Sequence, residues 1–407
     1  MTRNKPLWLW FALLGMAWLA WRVLRLGLAD HYAETDPQRA LAWRDDHPLA
    51  LFRAAEQAAA DPARAEEAAD LARRALRSDP LDGRPYRVLA NLALDKGDRE
   101  TALDLFTVAA NRAPRDPAAH VFLIEHHLRG NRPLQALQHL DTLLRVHPRE
   151  MRRFEPLLVA LASPPAAHEA LAEVLAKQPP WRGGMLQMAS TKATDLDGVA
   201  PLFDALRRSE GGLSDNELAP WLDRLVREGR VGQAYLLWVS NLPPERLASV
   251  GNIFNGSFEE PPEPLGFGWR FGRVAGARIE RLGGPGVVGE RALRVAFEYR
   301  RVPFNHVRQM LAVPPGRYRL ALQARADGLR TGPGLVWEVS CVSGGKPLAR
   351  TPPLRGQTPW HQLDVEFDIP EGCNGQWLVL RLPARIEAEQ QIGGRAWFDD
   401  LKLTRIP

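Results

Sequence analysis

Histidine is the residue type whose crowding in this chain most suggests chemistry. Five of the ten histidines fall in one short stretch, namely His120, His126, His127, His139 and His147. Imidazole nitrogens bind zinc, and two histidines four residues apart on a helix would present a pair of ligands. The spacings here are different, and no cysteine accompanies them. The sequence therefore predicts histidines on a surface or in a groove and no metal centre at this stretch.

The common arrangements of catalytic residues are not found in the sequence. The motif "GPGVVG", Gly284 to Gly289, has the glycine spacing of a dinucleotide-binding turn. A predicted strand follows it, however, and a pyrophosphate would need the N-terminus of a helix. No Ser-His-Asp order, nucleophile elbow or separated pair of acid and base carboxylates stands out. The prediction is a non-enzymatic protein without a catalytic cofactor.

The two cysteines, Cys341 and Cys373, are 32 residues apart in the C-terminal part. Two cysteines are too few for a zinc ribbon or a small disulfide-rich fold. In an oxidising compartment they could form a disulfide, whereas in the cytosol they would be two small buried hydrophobic residues. The sequence leaves both alternatives open.

The N-terminal segment is apolar enough to enter a membrane. The stretch "PLWLWFALLGMAWLAW" is uncharged, and snorkelling of Arg22 and Arg25 would let the apolar helix continue to Leu28. A cleaved signal peptide is the competing interpretation, but these two arginines would lie between its apolar part and the cleavage site. Residues 1–29 are therefore predicted to be a retained anchor.

The charges around this segment leave its orientation nearly balanced. Arg3 and Lys5 precede it and Arg22 and Arg25 follow it, so the positive-inside rule favours neither side clearly. A single N-terminal anchor before a large soluble body usually exports that body. The predicted location is the inner membrane, with a single span and the soluble part in the periplasm.

The net charge of +5 and the length of 407 residues limit the function classes. This length predicts two or three folded units. The basic residues are nearly all arginine, and they alternate with acidic residues along helix faces instead of forming blocks. Such alternation is typical of solvated faces, so no nucleic-acid partner is predicted.

Prolines divide the helical middle of the chain into units of equal length. Pro80, Pro114 and Pro148 are 34 residues apart and define units 49–82, 83–116 and 117–150. Small residues recur at the same place in each unit, at Ala68, Ala102 and Ala136. In period and in these positions the segment resembles the tetratricopeptide repeat (TPR) family. The resemblance implies a solenoid over 49–250, after a linker or first helix at 30–48, with a groove that binds a protein partner.

From residue 251 the hydrophobic period changes from that of a helix to that of a strand. Segments such as "RALRVAFEY", "RYRLALQAR" and "GQWLVLRL" alternate apolar and polar residues between glycine-rich turns. This pattern predicts an antiparallel jelly-roll sandwich of about eight strands over 251–407. The fold class is thus multidomain, with a membrane helix, an all-α solenoid and an all-β sandwich. Alternation directs a polar set away from the sandwich core, namely His306, Gln309, Gln323, Arg325, Glu338 and Arg381.

The sandwich segment resembles the galactose-binding-like jelly rolls that include many carbohydrate-binding modules. The motifs "NGSFE", "GFGW", "VPPGRYRLALQARA", "TPWHQLDVEFDIP" and "WFDDLKL" occur in the order expected for these modules. The resemblance implies a structural calcium held by Glu259 and by Asp399 or Asp400, and hard carboxylate oxygens suit that ion. It also implies a glycan site, with Trp337, Trp377 and Trp397 as candidates, although alternation favours the core for each of them.

The charge of the outward-facing polar set suits an acidic polysaccharide better than a neutral one. The whole architecture resembles proteins of bacterial exopolysaccharide and capsule systems. It implies a non-enzymatic envelope scaffold, with repeats that bind protein and a sandwich that binds glycan. Two alternatives remain, namely an enzyme of glycan processing and an assembly factor that binds no sugar.

Overall fold

The computed structural model describes residues 7–163 and 165–407. The charges at Arg3 and Lys5, which enter the orientation prediction, lie outside the described residues. Contacts divide the chain into two compact units. Among the described residues, the first comprises 7–163, 165–185 and 193–211, and the second comprises 186–192 and 212–407. The predicted boundary at 250/251 separates helices from strands, whereas the contacts place residues 212–250 in the same unit as the strands.

Helices make up the described chain from residue 7 to residue 240. Their bounds are α1 Leu7–Tyr32, α2 Pro37–Trp43, α3 Pro48–Ala59, α4 Ala65–Ser78, α5 Arg84–Asp95, α6 Arg99–Arg112, α7 Pro117–Arg129, α8 Pro133–Val146, α9 Met151–Leu161, α10 Pro165–Ala176, α11 Arg182–Lys192, α12 Leu196–Arg208, α13 Asp215–Arg227 and α14 Val231–Ser240.

Helix α1 is the one segment of the described chain that is long and apolar enough to cross a membrane. Between Trp10 and Leu26 its large apolar side chains are exposed. Near its C-terminal end the environment changes, because Ala29 and Ala33 are completely buried. Within a single turn the helix therefore passes from an exposed apolar stretch to a segment that is buried in protein.

Helices α3 to α8 form three successive antiparallel pairs, which confirms the helical prediction. The second helix of each pair begins at Ala65, Arg99 or Pro133, at intervals of 34 residues. The small residues of the repeat, Ala68, Ala102 and Ala136, are each the fourth residue of that helix and are buried. An alanine there lets two helices approach closely. The period is thus present in the structure, and the assignment to the TPR family stays a prediction.

The strands form a sandwich of two antiparallel five-stranded sheets, which confirms the predicted fold class. Their bounds are β1 Arg270–Phe271, β2 Ala277–Leu282, β3 Ala292–Arg301, β4 Val307–Leu311, β5 Gly316–Thr331, β6 Val336–Cys341, β7 Ala349–Arg350, β8 Gly356–Ile369, β9 Gln376–Arg381 and β10 Gln391–Arg405. Sheet A has the strand order β1-β4-β9-β6-β7, and sheet B has the order β2-β3-β10-β5-β8. The sheets enclose a core in which Trp337 contacts Trp269 and Phe398, each at 5.6 Å between ring centroids.

The segment "NIFNGSFEEPPEPLGFGW" packs helix α14 against the sandwich. The buried Trp238 of α14 meets Phe254 at 5.0 Å and Phe267 at 5.6 Å between ring centroids. Gly266 has a φ of +52°, and a Cβ there would lie 2.6 Å from the Trp238 ring. Only glycine fits such a position without strain. The aromatics and glycines of this segment therefore join α14 to the strands within the second unit.

Candidate functional site

Four arginines gather on the outer face of sheet A, and we call this surface the arginine face. In the β1–β4 register Arg270 lies opposite Arg308, and in the β6–β7 register Glu338 lies opposite Arg350. Val379 of β9 lies between these pairs, opposite both Arg308 and Glu338. One row of paired residues thus crosses all five strands. The fourth arginine, Arg381, lies on β9 next to this row.

Two of these guanidinium groups lie over the indole of Trp377. The Arg270 group is 5.3 Å from the ring centroid, and the Arg308 group is 5.1 Å from it. Arginine stacks well on an indole because its planar cation is attracted by the ring quadrupole. Trp377 therefore restrains two cations that would otherwise sample many rotamers.

The other two guanidinium groups are held by the carboxylate of Glu338. Arg350 Nε donates to one carboxylate oxygen at 2.6 Å, and Arg381 Nη1 donates to the other at 2.5 Å. Glu338 is only 4% exposed, while both arginine side chains remain partly exposed. Charge-assisted hydrogen bonds of this kind fix geometry as well as charge. Glu338 thus acts as a positioning residue under the two arginines.

The arginine face carries an excess of positive charge. Its four guanidinium groups are opposed by the carboxylates of Glu338 and of the nearby Asp223, so two positive charges are left. Burial lowers the pKa of Arg270, and the Asp223 charge opposes this effect. Within the described part of the chain, Arg308 forms no ion pair with a carboxylate. Its guanidinium is therefore available to an anionic ligand.

Three of the predicted site residues lie on this face, namely Glu338, Arg381 and His306. His306 directly precedes Val307, which pairs with Leu380 of β9. In this antiparallel register His306 therefore lies opposite Arg381. Its pKa is lowered by burial and by the Arg308 charge. Arg270, Arg308 and Arg350 belong to the same face but were not in the predicted set. The β alternation that selects Arg381 would also have selected Arg308.

The prediction for Gln309 is wrong, because this side chain is completely buried. Its Oε1 accepts a hydrogen bond from the Phe254 backbone N–H at 3.2 Å, and its Nε2 donates to the Phe254 carbonyl at 2.8 Å. Val307 and Leu311 share its side of β4 and are buried as well. Gln309 therefore satisfies the backbone of the segment that covers it and is not available to a ligand.

Two other predicted residues, Gln323 and Arg325, belong to sheet B and not to the arginine face. In the β5–β10 register Arg325 lies opposite Trp397. Trp397 is partly exposed, and the Arg294 guanidinium lies 5.6 Å from its ring centroid.

Of the three candidate tryptophans only Trp337 is in the core. Trp377 and Trp397 are on outer faces, which corrects the expectation that all three are core residues.

The carboxylates predicted to bind calcium lie around the glycine-rich turn at 284–289. Asp399 is completely buried, and its Oδ2 accepts a hydrogen bond from the Val288 N–H at 2.8 Å. Glu259 Oε1 accepts from the Glu290 N–H at 2.9 Å. Burial raises the pKa of Asp399 to about 6, and the charges of Asp400 and Glu259 add to this effect. Two neighbouring carboxylates, one of them desolvated, would be stabilised by a dication.

Glu259 and Asp399 fit a calcium ion better than Asp400 does. Asp400 forms an ion pair with Lys402 at 2.7 Å, so its charge is already compensated. Among the described residues, no group of three or more His, Cys, Asp or Glu side chains is arranged to hold a metal ion. Glu259 and Asp399 would supply the oxygens, and calcium there would neutralise charge and stabilise the turn. Calcium binding stays a prediction.

Cys341 and Cys373 form a disulfide in the structure, with their Cα atoms 5.5 Å apart. This separation is the usual one for a disulfide. The bond links the last residue of β6 to the turn before β9. Since disulfides persist in oxidising compartments, it favours the first of the two alternatives left open by the sequence.

Three of the crowded histidines cluster between α7 and α8. His120 is 3% exposed, and its Nδ1 is 3.3 Å from the Nδ1 of His139. The rings of His127 and His139 stack with centroids 5.5 Å apart. Burial lowers the pKa of His139 to about 4. His120 is buried, which corrects the expectation of a surface or groove position for that residue, whereas His127 and His139 are half-buried. The spacing of seven between His120 and His127 was the signal for one shared helix face.

No protein-family model matches the chain, and no curated protein matches it. Several solved carbohydrate-binding modules are similar to part of it. The structure titled "CBM4 structure and function" aligns with 38% of this chain and 99% of its own, at 15% identity and a TM-score of 0.29. A family 61 module in complex with β-1,4-galactotriose aligns with 39% and 100%, at 19% identity and a TM-score of 0.28. A module from the lichenase 5A of Cellvibrio mixtus, in complex with cellotriose, aligns with 34% and 93%, at 10% identity and a TM-score of 0.22.

Proposed function

We propose that the sandwich binds an acidic polysaccharide on the arginine face. The observation that carries this proposal is the row of cations that Trp377 and Glu338 hold in fixed positions on one sheet. A guanidinium binds a carboxylate through two parallel hydrogen bonds, and it loses less hydration than an ammonium group does. Because the cations are already restrained, little conformational entropy is lost when a ligand binds.

The length of the arginine face suits a polymer. The row from Arg270 to Arg350 crosses four inter-strand spacings, about 19 Å in total. A monosaccharide would contact only a part of such a row, whereas successive acidic residues of a chain could each meet one cation. Weak contacts repeated along a chain add up in affinity.

The chain is proposed to act as a membrane-anchored envelope scaffold, not as an enzyme. Cleavage of a signal peptide near Ala29 would cut inside α1, at a completely buried residue. This packing supports a retained anchor, and the Cys341–Cys373 disulfide supports a soluble part outside the cytoplasm. An inner-membrane span with a periplasmic body accommodates both features.

The helix pairs are proposed to bind a protein partner of the polysaccharide system, as TPR-like repeats do. A cavity of about 370 Å³ lies against α5, α6 and α7 and is lined in part by Leu94, Phe106, Val121 and Phe122. Phe106 and Phe122 stack there with their centroids 4.0 Å apart. Apolar side chains of this kind suit a peptide or helix of the partner. The system we favour is exopolysaccharide or capsule assembly or export.

Binding of a polyuronate tests the glycan proposal directly. Alginate added to the purified full chain should raise the melting temperature of the sandwich, and dextran of the same length should not. Arg308→Gln should weaken alginate binding about tenfold, since a charge-assisted contact is lost. Raising the salt concentration should weaken wild-type binding as well.

The matched control is Arg325→Gln, on the outer face of sheet B, which should leave alginate binding unchanged. Equal loss in both variants would show that only net charge matters and would reject the arginine face. Binding of dextran but not alginate would reject the acidic ligand.

A further inference from the structure

A polar cavity of about 500 Å³ lies beside the C-terminal half of α1, and we call it the α1 cavity. Arg22, Arg25 and Arg44 line it together with Asp45 and Asp46. The indoles of Trp18 and Trp21 complete its wall on the side of the apolar stretch. The cavity therefore combines cations, anions and amphipathic aromatics at one end of an apolar helix.

Four of the five charged side chains that line the α1 cavity contact a neighbour that restrains them. The Arg22 guanidinium lies 5.1 Å from the centroid of the Trp18 ring. Arg25 Nε donates to the Trp43 carbonyl, and Arg44 Nε donates to Asp46 Oδ1 at 2.8 Å. The hydrogen bond from Arg44 lowers the pKa of Asp46, so this carboxylate is ionised at neutral pH. Both signs of charge are thus present in one cavity.

The position of the α1 cavity along the helix corresponds to the surface of a membrane. Side chains of α1 are exposed and apolar as far as Leu26, and the helix is buried in protein from Ala29 onward. Tryptophan is enriched at the level of lipid headgroups, and arginines at helix ends extend to the same level. With α1 in a bilayer, the cavity opens where phosphate and amine groups are concentrated.

We propose that the α1 cavity binds the headgroup of a zwitterionic phospholipid with a primary ammonium group, phosphatidylethanolamine. The arginines would bind its phosphate, and Asp45 and Asp46 would accept hydrogen bonds from its ammonium. Two carboxylates in the same cavity disfavour a purely anionic headgroup. A quaternary ammonium has no N–H to donate, so phosphatidylcholine would keep the phosphate contacts but lose the hydrogen bonds to Asp45 and Asp46.

This inference rests on the proposed membrane anchor, and an experiment in nanodiscs tests the headgroup site and the anchor separately. The full chain is reconstituted with equal amounts of phosphatidylethanolamine, phosphatidylcholine and phosphatidylglycerol, and the lipids that remain bound after extraction are counted by native mass spectrometry. The expected result is a preference of roughly fivefold for phosphatidylethanolamine over phosphatidylcholine, as one exposed charge-assisted hydrogen bond provides. Asp45→Asn should lower this ratio, because one of the two carboxylates is lost, and Arg44→Gln should lower retention of all three lipids.

The control variants are Asp70→Asn and Arg77→Gln on the exposed surface of α4, which should retain lipid as the wild type does. Equal retention of the three lipids by the wild type, a preference for phosphatidylglycerol, or an unchanged ratio in Asp45→Asn would each overturn the headgroup site. A chain that enters no nanodisc at all would instead overturn the anchor itself, and the site with it.

Discussion

At the scale of single residues, two buried carboxylates of the sandwich are stabilised in different ways. Glu338 is surrounded by two guanidinium groups, which compensate its charge directly. Asp399 has only backbone N–H donors, and the carboxylates of Asp400 and Glu259 repel it. A buried charge without an opposite charge shifts its own protonation. Asp399 is therefore the residue at which pH should act on the sandwich.

We predict that the sandwich loses stability as the pH rises through the pKa of Asp399. Its folded pKa of about 6 lies above the ordinary aspartate value of 3.8, so the folded state favours the protonated form. The stabilisation is complete below pH ~4 and is lost as the pH rises through 6, at a cost of roughly 2–3 kcal/mol without metal. Chemical denaturation between pH 4 and pH 7 in EDTA measures this loss.

Two changes should abolish this pH dependence. Asp399→Asn cannot ionise, and millimolar calcium would stabilise the carboxylate if Glu259 and Asp399 bind the ion. Asp364→Asn, at an exposed position of β8, is the control and should keep the dependence. Stability that rises between pH 4 and pH 7 in EDTA would contradict the raised pKa, and an unchanged profile with calcium would reject the metal.

Residue alternation predicted only a part of the arginine face, and the reason is physical. Alternation shows which side chains share a face of one strand, which is how Glu338 and Arg381 were selected. It does not show which sheet a strand joins, so Gln323 and Arg325 of β5 were grouped with residues of sheet A. Nor does it show that a segment distant in sequence covers a side chain, as the segment at Phe254 covers Gln309. Gln309 therefore appeared available to a ligand.

At the scale of elements, the helix pairs are stabilised by small residues and by caps. Asp98 caps α6 by accepting a hydrogen bond from the Thr101 N–H at 3.1 Å, and Asp116 caps α7 by accepting one from the Ala118 N–H at 3.1 Å. Prolines and these caps are local signals, so the sequence predicted the pairs well. The association of α14 with the strands depends on contacts of Trp238 with Phe254 and Phe267. Those contacts are tertiary, and no local pattern predicted them.

Overpacking should test the register of the helix pairs. Ala102 is completely buried, so Ala102→Trp forces a large side chain between two helices and should cost a few kcal/mol. Thr107→Trp, on the exposed surface of the same helix, is the matched control and should cost little. A melting temperature of Ala102→Trp equal to that of the wild type would show that the register is wrong.

Acid should loosen the α7–α8 pair through its histidine cluster. The pKa of His139 is lowered to about 4 by burial first and by His120 and His127 second. Because the folded pKa is depressed, the stabilisation is present above pH 6.5 and is lost as the pH falls toward 4, on the order of 2 kcal/mol. Hydrogen exchange of the α7 and α8 amides at pH 7 and pH 5, corrected for intrinsic rates, measures this loss.

In that experiment His139→Leu should remove most of the acid effect, since the leucine fills the site without a proton to gain. His31→Leu, at an exposed position, should keep the effect. Protection factors in α7 and α8 that do not change between pH 7 and pH 5 would contradict the prediction.

At the scale of the whole molecule, an apolar helix, further helices and a sandwich follow one another along the chain. Helix α1 exposes apolar side chains, the first unit is helical and the second unit carries the sandwich with its disulfide. The disulfide favours an oxidising compartment, and the apolar N-terminal helix is long enough to cross a membrane. The fold class and this order could be predicted from the sequence, because they depend on composition and period.

The last prediction therefore concerns the side of the membrane on which the second unit lies. A reporter that is active only outside the cytoplasm, fused after Pro407, should be active, and the protein should sediment with membranes. Cys341 and Cys373 should resist alkylation in intact cells until a reductant is added, because both thiols are in the disulfide. In the Cys341→Ser variant, Cys373 is unpaired. Its thiol should be labelled after denaturation without reductant, which shows that the labelling reaction works. An inactive reporter together with two alkylated thiols in the wild type would place the sandwich in the cytoplasm.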